Sequence, residues 1–240
     1  MNYRPNQIAR SLATNRTNTI GLVVPDISNP FFSPITRGVA DAAYCQGLDN
    51  FVYIMHRTGI GAGVFIKGTL YRGSNGFAAQ IGHIQVDENG PLCKCGNYGC
   101  LEVMAAESYI LSRMKKKIRQ GIVKIKNVFN IEDVDFNIFL NEVRGGNKIA
   151  MNLLSSAAAN LGIGISILIN ILNPTNIVFS VGYNHYPETF IDQINNIAKD
   201  KVLDIYRSKI KISQSKPSES SIAIGAAIIP LKSLFGEDIY

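Results

Sequence analysis

At 240 residues, 46% of them hydrophobic and 18% charged, the chain has a globular composition and the length to bury a core in one or two domains. Its formal net charge of +6 suits a nucleic-acid partner and suits a basic surface with no partner equally well. The opening run MNYRPNQIARS lacks the apolar core of a signal peptide, and the most apolar stretch, Leu161–Leu172, is short for a bilayer and carries Ser166 and Asn170, so a cytoplasmic protein without membrane association is expected.

The first fifty residues form their own pattern. Pro5 suits the first turn of a short helix with Ile8 and Leu12 on one face and Arg4, Arg10 and Arg16 around it. Thr19–Pro25 has the composition of a buried strand, and Phe31–Gln46 places Ile35, Val39, Ala42 and Ala43 at helical spacing. Strand then helix opens an α/β domain, yet no further series of such units follows. The run YRPNQIARSLATNRTNTIGLVVPDISNPFF resembles the hinge helix and first core strand of the lactose-repressor (LacI) family. That resemblance implies a hinge helix that enters the DNA minor groove, with Leu12 as the wedge and Arg10 and Arg16 beside it. It also implies that Asp26 and Asn29–Phe32 lie beside an effector pocket, and that the family's helix-turn-helix would precede residue 1. Read from the residues alone, a helix and strand packed on another domain serve as well.

A second pattern begins near Asp49, which divides the chain into residues 1–48 and 49–240. Phe51–His56, Gly63–Lys67 and Thr69–Tyr71 read as three sequential strands, the last two joined at Lys67-Gly68. Helices follow, then a strand at Asn176–Val181, a helix at Pro187–Leu203, a strand at Lys209–Ser213 and a final helix from Ser221. This order suits an α/β fold with a mixed sheet covered by helices. The basic run Arg113–Lys126 reads as a solvated helix face.

Three of the four cysteines fall within the run GHIQVDENGPLCKCGNYGCLE, after Gly82-His83. Cys93, Cys95 and Cys100 with His83 offer three thiolates and one imidazole, a closed tetrahedral set for zinc. Gly96 and Gly99 allow the knuckle that turns the sulfurs inward. The alternative is a group of free thiols beside an unrelated histidine.

The runs TGIGAGVFIKGTLYRGSNGFAAQIGH and CKCGNYGCLE are similar to the signature of the ROK family of bacterial sugar-responsive repressors and sugar kinases. The resemblance implies the carboxy-terminal lobe of an actin-like, ribonuclease H-like fold, with zinc held by His83, Cys93, Cys95 and Cys100. It further implies that Gln80, His83 and Glu102 face sugar hydroxyls. A metal-bound imidazole keeps one nitrogen for a hydroxyl, and Glu102 follows the last zinc ligand by two residues. Gln80 departs from the family's usual glutamate, and an amide is a weaker acceptor than a carboxylate. In the family's kinases the turn at Thr58, Gly59 and Gly61 contacts nucleotide phosphate, although a plain hairpin connection accounts for it as well. Arg57 and Tyr183 stand where those kinases have glycine, the latter after Gly182.

Other polar residues carry no pattern. His56 and His185 are expected at the surface or in turns, and Cys45 as a packed small hydrophobe. Glu107, Glu132, Asp133 and Asp135 show no spacing of a catalytic pair. The expected function is a sugar-responsive transcriptional regulator, or a remnant of one, with zinc as its metal. Its expected partners are a sugar effector, DNA through the hinge helix, and further copies of itself. The rivals are a ROK-type sugar kinase and a zinc-stabilised structural or dimerisation module. No enzyme is expected, because neither kinase motif of the family's amino-terminal lobe occurs in residues 1–48.

Overall fold

The computed structural model describes residues 50–67, 69–126, 128–180 and 186–214. The LacI-like segment, Gly182, Tyr183, His185 and the helix expected from Ser221 lie outside these residues.

A five-stranded mixed sheet carries the fold, in the order β3-β2-β1-β4-β5. Strands β1 (Phe51–His56), β2 (Ile60–Ile66) and β3 (Thr69–Leu70) form the antiparallel meander read from the sequence. Strand β4 (Asn176–Ser180) adds parallel to β1, and β5 (Lys211–Gln214) parallel to β4. β1 is central and buried at every position. Its period of two sends Val52, Ile54 and His56 into the main core, while Phe51, Tyr53 and Met55 pack with Val178 and Phe65 on the opposite face. Phe51 and Phe65 face each other in register, with stacked rings 4.4 Å apart.

Two boundaries differ from the sequence expectation for identifiable reasons. β2 begins at Ile60, within the glycine run, because the hairpin pairs His56 with Ile60 directly. β5 begins at Lys211 because the amides of Lys209 and Ile210 both donate to the Tyr206 carbonyl.

Among the described residues six helices cover the core: α1 (Leu101–Ala105), α2 (Glu107–Arg119), α3 (Phe136–Arg144), α4 (Lys148–Leu172), α5 (Glu188–Asp200) and α6 (Asp204–Arg207). The basic run leaves its helix at Arg119, and Gly121 turns the chain at φ +70°, so only its first half is a helix face. The helix expected over Pro187–Leu203 is α5, which ends at Asp200, three residues early, before the separate turn of α6. There the Asn170 side chain donates to the Lys201 carbonyl and accepts from the Leu203 amide.

α4 is the core helix. The apolar stretch Leu161–Leu172 is its second half, so the length judged too short for a bilayer is half of a 25-residue helix that is long and apolar enough to cross one. Here its apolar face is spent on the core, with Leu154, Leu161, Ile165 and Ile169 buried. The Asn147 side chain accepts from the amides of Ile149 and Ala150 to start it, and Asn173 at φ 45° ends it. Two glycines bring its neighbours close. A Cβ at Gly162 would sit 2.7 Å from the Ile197 side chain of α5, and one at Gly164 2.7 Å from Leu101 of α1. The second contact seats the helix that carries Glu102 directly on the core.

Candidate metal centre and the carboxylate beside it

The segment between β3 and α1 has little regular structure and is organised by close backbone contacts. A 3-10 turn at Ile81–His83 buries Ile81 and Gly82. Gly82 lies against β2, where a Cβ would strike the Ile60 carbonyl. From there the chain makes a loop closed by two single bridges, Gln85 with Cys100 and Leu92 with Tyr98. Cys93 donates its amide to the Asn97 carbonyl at 2.7 Å and accepts from Gly96 at 3.0 Å, which is the knuckle that the glycine permits at φ +95°. Gly99, at φ +60°, passes so close to the Asp87 carbonyl that no side chain fits.

These turns gather His83, Cys93, Cys95 and Cys100, whose ligand atoms all lie within 4.8 Å of one another. Cys93 Sγ is 3.7 Å from His83 Nδ1, and Cys95 Sγ is 3.5 Å from Cys100 Sγ. Four ligands at zinc's usual bond lengths in a tetrahedron stand roughly 3.5–3.8 Å apart, so the spacing fits. The donor chemistry fits as well. Burial pushes the Cys100 thiol up to about 12, so holding it as a thiolate near neutral pH needs a positive charge among the sulfurs. Cys95, fully exposed, is lowered chiefly by the Asn97 backbone. His83 presents Nδ1 to Cys93, which leaves Nε2 for an outside partner.

Glu102 stands in the first turn of α1, two residues after the last cysteine. Its Oε2 accepts from the Ile60 amide at 3.2 Å. A Cβ at Gly59 would fall 2.7 Å from that oxygen, and one at Gly82 would touch the Glu102 Cβ at 3.5 Å. Glu102 therefore occupies space left by two glycines, one in the β1–β2 turn and one beside His83. The structure brings Gly59, Glu102 and the turn bearing His83 together. Gln80 sits exposed at the start of that turn and gives its carbonyl, not its side chain, to His83.

Thr58, Gly59 and Gly61 form a hairpin connection. The Thr58 carbonyl accepts from Ser108 Oγ, the Gly59 carbonyl from the Arg57 amide, and Gly61 lies in β2 opposite Met55. The Ile60 amide in this turn is already engaged by Glu102. Arg10, Leu12 and Arg16 lie outside the described residues.

His56, expected at the surface or in a turn, is instead fully buried on the core face of β1. Its Nε2 is 2.7 Å from the Ala105 carbonyl and its Nδ1 2.7 Å from Tyr186 Oη. Tyr186 Oη also lies 2.9 Å from Glu107 Oε1. The signal was in phase: His56 shares parity with Val52 and Ile54, the apolar residues of the same face.

A model of the ROK family matches residues 39–233. The chain belongs to the ROK family. Its mixed sheet and helical cover are the α/β fold of that family. The N-acetylglucosamine repressor of Escherichia coli O6:H1 is 30% identical over 178 residues, 74% of this chain and 43% of that protein. The xylose repressor of Caldicellulosiruptor bescii is 27% identical over 179 residues, 74% of this chain and 45% of that protein. A crystal structure of a ROK family transcriptional regulator, a homologue of the E. coli Mlc protein, superimposes with a TM-score of 0.74 at 26% identity, covering 85% of this chain and 52% of that one. The chain thus spans about half the length of the relatives it matches.

Proposed function

We propose that this chain is the effector-binding part of a sugar-responsive ROK transcriptional regulator, or a remnant of one, working in the cytoplasm. The observation that carries the reading is the position of Glu102, anchored on the Ile60 amide and packed against the glycine beside His83. Zinc would be held by His83, Cys93, Cys95 and Cys100 and would act structurally, as a closed four-ligand set does. Bound there, it fixes the loop that delivers both His83 and Glu102. The His83 Nε2–H would donate to one sugar hydroxyl, and the Glu102 oxygen not held by Ile60 would accept from another. Gln80 would add an uncharged contact. The repressor names borne by relatives support this reading over the kinase reading, in which Thr58, Gly59 and Gly61 would face nucleotide phosphate.

Residues 1–48 we read as a LacI-like hinge helix and βα fragment joined to a ROK lobe at 49–240, with Arg10, Leu12 and Arg16 meeting DNA. The regulator would work as a homo-oligomer. Thermal shift of the zinc-loaded chain against pentoses, hexoses and N-acetylhexosamines tests the effector. A sugar at 100 times its dissociation constant adds about 2.7 kcal/mol to stability. One sugar class should shift the transition. If none does at full zinc occupancy, the zinc-stabilised module without a ligand is the better account.

A further inference from the structure

The β1–β2 turn is fastened to the α1–α2 junction at three points besides Glu102. The Glu107 amide donates to the Arg57 carbonyl, Ser108 Oγ donates to the Thr58 carbonyl, and His56 Nε2 reaches the Ala105 carbonyl. The last of these begins a buried chain: Ala105 carbonyl, His56, Tyr186, Glu107. Contacts of 2.7, 2.7 and 2.9 Å link it. His56 is 0% exposed, Tyr186 5% and Glu107 7%.

Each of these contacts needs one hydrogen. The Ala105 carbonyl can only accept, so His56 Nε2 must carry a proton. A neutral imidazole then offers only a lone pair at Nδ1, and Tyr186 must donate to it. The phenol has spent its single proton, so a carboxylate at Glu107 would face the phenol oxygen lone pair to lone pair. The other assignment, Tyr186 donating to Glu107, leaves Nδ1 facing the same oxygen unless the imidazole is charged. Three links need three hydrogens, and neutral imidazole, phenol and carboxylate supply two.

We propose that His56, Tyr186 and Glu107 form a one-proton unit, complete only while it holds one proton more than those three groups ordinarily carry near neutral pH, and that this unit positions the α1–α2 junction, at the end of the short helix that carries Glu102. Its consequence for an effector rests on the function proposed above for Glu102, whereas the proton count does not. Burial says where the proton sits. It lowers His56 to about 4 and raises Glu107, so the added proton belongs on the carboxyl rather than on the imidazole. Tyr186 is raised far above its usual range by burial and by Glu107, which keeps the phenol intact. Arg57, in the adjoining turn, is the charged neighbour whose field reaches all three groups, and it opposes charge on His56 while favouring charge on Glu107. The other elements packed on the unit present aromatic rings: Phe179 from β4, Phe190 from α5 and Phe136 from α3.

The sign follows from linkage. In the unfolded chain Glu107 titrates at about 4.3, so above that pH the folded form binds one proton more. Stability from the unit is fully present below the unfolded pKa and is lost as pH rises through the folded one. Glu107→Gln supplies the decisive comparison. An amide N–H donates to Tyr186, Tyr186 donates to Nδ1, and all three links are made with no proton left to lose.

The experiment is the folding equilibrium constant of the full zinc-loaded chain, wild type and E107Q, by denaturant titration from about pH 5 to about pH 8. The wild-type constant divided by that of E107Q should fall tenfold per pH unit until the unit releases its proton. A ratio that stays flat over this range means that Glu107 is ionised in the folded chain, and it overturns the proposal. Nitrogen shifts of the His56 ring in the wild type give a reading that needs no variant. An Nε2–H neutral tautomer through pH 7 with the Tyr186 hydroxyl proton retained supports the unit, and an ordinary imidazole titration near 6.5 overturns it. Neither measurement involves a sugar, so a failed effector assay and a failed proton count are separate results.

Discussion

Gly99→Ala puts the metal loop under a defined load. Gly99 adopts φ +60°, a conformation that costs an ordinary residue roughly 1–2 kcal/mol. The added Cβ would also collide with the Asp87 carbonyl, and nothing flexible is there to yield, since the obstacle is backbone. Overpacking of that kind costs roughly 1–3 kcal/mol. The backbone at Gly99 is tied on both sides. Its carbonyl accepts from the Val86 and Asp87 amides and its amide donates to Pro91, so relief means opening the bridge between Gln85 and Cys100. The penalty therefore falls on the geometry that delivers the fourth ligand. A combined cost of about 2–5 kcal/mol weakens zinc about 30- to 4000-fold. Gly96→Ala is the matched control. Its φ is +95° but nothing lies within 4 Å of its Cβ, so it carries backbone strain without a collision and should lose far less. Competition for zinc with a chromogenic chelator measures both variants. If G99A binds zinc within threefold of the wild type, the loop is not organised around the metal as described.

The core and the loop give further expectations. Ile165→Ala, at a fully buried position of α4, should cost roughly 2–5 kcal/mol in denaturant unfolding. Asn147→Ala removes the side chain that caps α4 and should cost about 1 kcal/mol, whereas Asn147→Ser keeps a capping oxygen and should cost less. Chelation of zinc should release amide-exchange protection between Ile84 and Cys100 while β1 and α4 keep theirs, because the loop is tied by scattered single contacts and the core by buried apolar packing.

How much of this was legible in the residues depended on distance along the chain. The candidate metal set was legible because its four residues lie within eighteen positions and their types suit a tetrahedral site, and the fold brings their ligand atoms within 4.8 Å of one another. β1 was legible end to end, since the five consecutive apolar or aromatic residues Phe51–Met55 between Asn50 and His56 leave little choice. The end of α5 was not. The residue that breaks the run, Asn170, sits on another helix and acts through its side chain. The same holds for β5, whose first two expected amides are taken by the closing turn of α6. His56 could have been placed by its parity within β1, but its partners could not. Glu107 and Tyr186 lie 51 and 130 positions away, and only the packing of α2 and the start of α5 on the sheet brings them to it. Glu102 falls between these cases. The family resemblance pointed to it, while its anchor on Ile60 and the glycine space around it belong to the fold.

In the proposed function the zinc loop aims Glu102 at a sugar. Calorimetric titration of the zinc-loaded chain with the sugar that shifts its melting transition, in wild type and Glu102→Ala, tests it most directly. Saturable binding of one sugar per chain is expected. The loss of a charged hydrogen bond, worth roughly 1.5–3 kcal/mol, should raise the dissociation constant of the variant about 10- to 150-fold at unchanged zinc content. Equal affinity in the two proteins, with zinc fully bound in both, would contradict the account.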